Sequence, residues 1–107
     1  MYKELLDSLV EPIVMADTEH VMVYMNKAAE KQFKKWGGKK LLGKSVFDCH
    51  NDNSCKVIKE VFAKMLDGLD EELIGDTDKQ LIFMRAVRDE TGQVIGYYER
   101  YENKQQK

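Results

Sequence analysis

Between Cys55 and Asp67 the apolar residues fall on one side of a helix. Val57, Ile58, Val61, Phe62, Met65 and Leu66 recur at helical spacing, while Lys56, Lys59, Glu60 and Lys64 take the other side. A stripe this clean has to be buried against something. A chain of 107 residues forms one domain around one core. The surface that receives the stripe must therefore come from the flanking segments, and these read as strands.

Residues 13–17 (IVMAD) and 21–25 (VMVYM) are β-type runs joined by the polar stretch Asp17-Thr18-Glu19-His20, which predicts an antiparallel hairpin. His20 is expected to sit in the turn, in solvent. Residues 80–88 (QLIFMRAVR) and 94–102 (VIGYYERYE) flank Asp89-Glu90-Thr91-Gly92-Gln93. Gly92 can adopt positive φ, so this is a second hairpin. Residues 69–75 (LDEELIG) read as a weaker strand. Five strands with helices gathered mid-sequence make an α+β domain: an antiparallel sheet with helices on one face.

The remaining helices are shorter. Tyr2, Leu5, Leu6, Leu9 and Val10 share one face of a helix over residues 2–10, which ends ahead of Pro12. Alone it is marginal in water, so its apolar face needs either the sheet or the same helix of a second copy. Asn26 is placed to cap a helix that runs to Trp36, and Gly37-Gly38 stops it. Lys31, Lys34, Lys35, Lys39 and Lys40 are expected to form a solvated face. Ser54 or Asn53 is expected to cap the striped helix, with Gly68 as its stop. The expected layout is a single domain over 1–107: a helix at 2–10, a core at 12–102 and a polar tail at 103–107.

A net charge of -2, with Lys and Arg scattered along the chain, argues against a nucleic-acid footprint. The longest apolar runs are about five residues, against the roughly 20 that span a bilayer. Glu4 and Asp7 interrupt any signal-peptide pattern. A cytoplasmic protein with no membrane partner is the expectation.

Special chemistry, if present, belongs to residues 42–68, which hold both cysteines and one histidine. Two cysteines, Cys49 and Cys55, do not make a disulfide scaffold. They read as small apolar residues, as a redox thiol pair if their pKa is lowered, or, with His50 and Asp52, as metal ligands at poor zinc spacing. His50 either bonds a backbone carbonyl or serves as an axial haem ligand. No Cys–His–acid triad is evident.

The ordered set of motifs resembles a PAS domain. Asp17 ends the first strand, Asn26 precedes Ala28-Ala29, Gly43 precedes Val46-Phe47, and Arg88-Asp89-Glu90-Thr91-Gly92 closes the penultimate strand. The resemblance spans about Leu5 to Glu102. It implies a PAS-like five-stranded antiparallel sheet covered on one face by helices. It also implies a non-enzymatic sensory or interaction module of bacterial signal transduction, working with a signalling partner, that dimerises through the N-terminal helix and often encloses a small ligand. Cys49 is followed by His50-Asn51, unlike the reactive-cysteine motif of the flavin-binding subgroup, so flavin is not expected. Haem is admitted with His50 as ligand, and no metal site is otherwise assigned. Alternation along the strands, aligned by the resemblance, turns Ile82, Met84, Ala86 and Tyr98 toward the helices, and Phe83, Val87, Tyr97 and Tyr101 outward. His50, Phe62, Met84 and Tyr98 are then the candidates for lining a cavity, or else they fill a solid core. Leu5, Leu6 and Leu9, with Phe83, Tyr97 and Tyr101, are the candidates for a dimer interface. The alternative reading is a redox-, metal- or haem-responsive sensor centred on Cys49, His50 and Cys55.

Overall fold

The computed structural model describes residues 1–104 and, for Cys49, the backbone only. Residues 105–107 of the expected tail lie outside the described residues. The elements are α1 (Tyr2–Asp7), β1 (Ile13–Asp17), β2 (Met22–Met25), α2 (Lys27–Gln32), α3 (Asp52–Leu66), β3 (Glu71–Asp76), β4 (Gln80–Arg88) and β5 (Val94–Asn103). Three 3-10 turns, Lys34–Trp36, Gly38–Leu41 and Val46–Cys49, join α2 to α3. The five strands form one sheet in the order β2-β1-β5-β4-β3, with every neighbouring pair antiparallel.

Both hairpins form where expected. Asp17 Oδ1 accepts from the Glu19 and Val21 amides, and Asp89 Oδ1 accepts from the Thr91 and Gln93 amides. These are Asx turns, in which a side chain replaces the missing backbone acceptor. β2 is an edge strand, and residues 43–46 shield that edge. The Met22 amide donates to Lys44 O, the Gly43 amide to Met22 O and the Val46 amide to His20 O.

Ile58, Val61 and Met65 of α3 are buried against Met84, Tyr97 and Ala16 of the sheet. The stripe therefore covers the sheet as its spacing requires. α3 begins three residues earlier than expected and is capped by Asn51, whose side chain accepts from the Ser54 amide. α1 is shorter than its apolar pattern. It ends at Asp7, where the Ser8 hydroxyl folds back onto Leu5 O. α2 gives way to 3-10 turns after Gln32 instead of running to Trp36.

One expectation about the sheet is overturned. Tyr97 and Tyr101 are buried on the helix-covered face, with Glu99 between them, while Tyr98 is only partly buried and lies on the other face. The cause is a register shift between Val87 and Arg88. A register running unbroken from the Arg88–Val94 pair would set Met84 opposite Tyr98; the shift sets it opposite Glu99. One extra residue in β5 exchanges the two faces of the strand. The outer face is also less apolar than expected. The Arg100 guanidinium lies 4.2 Å over the Phe83 ring and pairs with Glu71 and Glu102, and Arg85 pairs with Glu71.

Candidate functional site

Between the inner face of β1, β2 and β5 and the 3-10 turns lies a cavity of about 760 Å³. Val14, Ala16, Met22 and Met25 supply its floor from β1 and β2. Phe33, Trp36, Leu41 and Val46 close it from the connecting segment. Its polar groups are Lys44, Asp48, His50, Tyr97, Glu99 and Tyr101. An apolar volume with a few convergent polar groups is the usual form of a small-molecule site.

Glu99 is the unusual member. It is 7% exposed, and the Tyr101 hydroxyl donates to its Oε2 at 2.8 Å. Its Oε1 is buried and has no hydrogen-bond partner among the described residues. A buried polar atom left unpaired costs free energy, so such atoms are rare and informative. His50 Nε2 lies 3.9 Å from Oε1, too far for a hydrogen bond. His50 Nδ1 is 2.7 Å from Val46 O. A carbonyl only accepts, so Nδ1 carries a hydrogen, and Nε2 is the ring nitrogen turned toward Glu99.

Behind this pair, Tyr97 links the cavity to His20. Tyr97 Oη and His20 Nδ1 are 2.8 Å apart. The His20 ring packs against Phe47 and Phe62, at centroid distances of 4.6 and 4.9 Å. His20 is thus not the solvated turn residue its polar neighbours suggest. It sits at φ 67, a left-handed conformation that sends its side chain inward while Thr18 and Glu19 stay exposed. Burial pushes its pKa below 6.5, with Asp17 opposing and Lys59 assisting. Burial, helped by Glu99 and Asp17, pushes the Tyr97 phenol up. Burial and Glu99 push the Tyr101 phenol well up. Both phenols are therefore protonated donors at neutral pH.

Of the residues expected to line a cavity, His50 does so. Met84 is fully buried in the core beneath α3, Phe62 packs behind the cavity on His20 and Tyr97, and Tyr98 faces away. Tyr97 and Tyr101, expected in an interface, line the cavity instead. The Cys55 thiol is half-buried and lies 3.5 Å from Phe47 O and 3.7 Å from His50 O. The Cys49 side chain lies outside the described residues. Among the described residues no three His, Cys, Asp or Glu side chains cluster as metal ligands. For haem, the Val46 bond leaves His50 Nε2 facing the cavity, as axial ligation needs. The Glu99 carboxylate stands in front of that nitrogen and would have to move to admit a porphyrin.

Glu99 escaped the reading of the sequence because its face depends on the shift in β5. The available signal was the Tyr-x-Glu-x-Tyr spacing of 97, 99 and 101. If either tyrosine is turned inward, the carboxylate turns inward with it.

None of the curated proteins matches the chain. Among solved structures it is similar to a C-terminal domain from Streptococcus mutans, with a TM-score of 0.78 and 23% identity over 95% of this chain and 81% of that one. It is similar to a PAS domain from Colwellia psychrerythraea, with a TM-score of 0.74 and 14% identity over 96% and 93%. It is also similar to a sensory box sensor histidine kinase from Vibrio cholerae, with a TM-score of 0.66 and 15% identity over 98% and 90%. At these identities the likenesses show the fold alone. The sequence profile of the PAS fold matches residues 6–105, nearly the whole chain, and the chain therefore belongs to the PAS fold family.

Proposed function

We propose that this domain is a non-enzymatic sensory module that binds a small molecule in its cavity and passes the change to a signalling partner. The carrying observation is the cavity of about 760 Å³ with a buried, half-satisfied carboxylate in its wall, in a chain of the PAS family. Sensory work fits this wall. The 3-10 turns that close the cavity are joined by short loops, and residues 43–46 bond directly to β2. A ligand that displaces them also strains the sheet edge.

The output route is α1. Asn26 Nδ2 donates to Leu6 O. Asp7 Oδ1 accepts from the Tyr24 hydroxyl and the Lys27 amide. α1 is thereby tied to the start of α2 and to β2, whose Met22 and Met25 line the cavity, and Leu5 of α1 and Leu9 just beyond it are left exposed. Self-association through Leu5, Leu6 and Leu9 gives a dimer whose geometry responds to the ligand.

Native mass spectrometry tests the reading. The protein as isolated is expected to carry a small-molecule mass that Leu41→Trp, which fills the cavity from its wall, abolishes. A bound mass that persists in the filled variant would sink it. Haem is a second reading, favoured by the orientation of His50 Nε2. It predicts a Soret band that His50→Ala removes.

A further inference from the structure

The proposed reading leaves open which chemistry the cavity selects, and the wall bears on it. Glu99 lines the cavity, and its Oε1 is buried with no hydrogen-bond partner among the described residues. His50 Nε2, at 3.9 Å, is beyond hydrogen-bond reach of it. The vacant acceptor calls for a donor at about 2.8–3.0 Å. Tyr101 fixes the carboxylate through its other oxygen, so Oε1 is held in place.

We propose that the cavity selects a small, largely apolar amine whose ammonium group donates to Glu99 Oε1. This rests on the reading of the cavity as a ligand site. A metal ion is the poorer occupant, because a protein-held site takes about three or four side-chain ligands and only two converge here. The apolar floor of Met22, Met25 and Val14 accommodates a hydrocarbon chain.

The test uses three probes with one chain and three heads: hexylamine, hexan-1-ol and hexanoate. Trp36 is the single tryptophan and lines the cavity, so its fluorescence reports binding. Hexylamine is expected to bind about tenfold or more tighter than hexanoate, the range of a charge-assisted bond to a buried carboxylate. Glu99→Gln is expected to remove that preference while leaving hexanol binding in place. The comparison of heads on the unmodified protein stands even if the variant folds poorly. Equal or tighter binding of hexanoate overturns the amine assignment, as does a preference that survives Glu99→Gln. Hexanol binding without any preference for the amine keeps the cavity as a ligand site and removes only this inference. If no probe of any head binds, the ligand-site reading falls as well.

Discussion

The amide of Asn26 makes four hydrogen bonds from a fully buried position. Its Oδ1 accepts from the Ile13 and Ala29 amides, and its Nδ2 donates to Leu6 O and Glu11 O. One side chain thus caps α2, anchors the start of β1 and fastens α1. Asn26→Ala removes all four partners at once, and its expected cost is about 2–4 kcal/mol in urea unfolding. Asn26→Asp should be nearly as harmful, since it keeps the cap and loses both donors. His20 supplies a pH signature. Its folded pKa is lowered by burial, so below its unfolded value of about 6.5 the unfolded chain binds more protons than the folded one. Its contribution to stability is complete above that pH and is lost as the pH falls through the folded pKa. His20→Asn keeps a residue that tolerates positive φ. The fall in stability between about pH 7.5 and pH 5 should be smaller in this variant than in the parent, whereas an equal fall would mean that His20 is not the titrating group.

Among the elements, α3 and β5 divide the work. α3 needs only its stripe. Met65 is fully buried and Leu66, one residue on, is 62% exposed. Met65→Ala should therefore cost about 2–5 kcal/mol and Leu66→Ala less than about 0.5 kcal/mol, a contrast that denaturant melts resolve. β5 depends on a position with no side chain. A Cβ added at Gly96 would overlap the Ala16 carbonyl oxygen of β1. Gly96 lies in the segment where the register shifts, and its bareness lets β1 and β5 close up. Gly96→Ala should cost about 1–3 kcal/mol and disturb the sheet between the two tyrosines and β1, seen as a loss of amide protection there.

For the whole molecule, the proposed dimer makes a prediction separate from the fold. α1 has no buried residue and Leu9, just beyond it, is exposed, so Leu5→Glu with Leu9→Glu should leave unfolding stability within about 0.5 kcal/mol. In sedimentation the same pair should turn a dimer into a monomer. A parent that sediments as a monomer would remove α1 from the output route. The reading of the sequence went far at this scale. Element order, both hairpins, the Asn26 cap and the buried stripe of α3 all came from local signals: period, turn chemistry and capping. The family resemblance rested on the same ordered landmarks.

The sequence by itself determined which segments become strands and helices and that one helix must cover the sheet. Those properties follow from backbone periodicity and from side chains acting on their near neighbours. The tertiary structure alone decided which residues meet. A single extra residue in β5 placed Glu99, Tyr97 and Tyr101 in the cavity and Tyr98 outside it, and a positive φ at His20 turned a polar-looking turn residue onto the rings of Phe47, Phe62 and Tyr97. Strand faces alternate with a period of two, so one displaced residue reverses them all, and that displacement is fixed by the packing of β5 against β1 and β4 rather than by its local sequence.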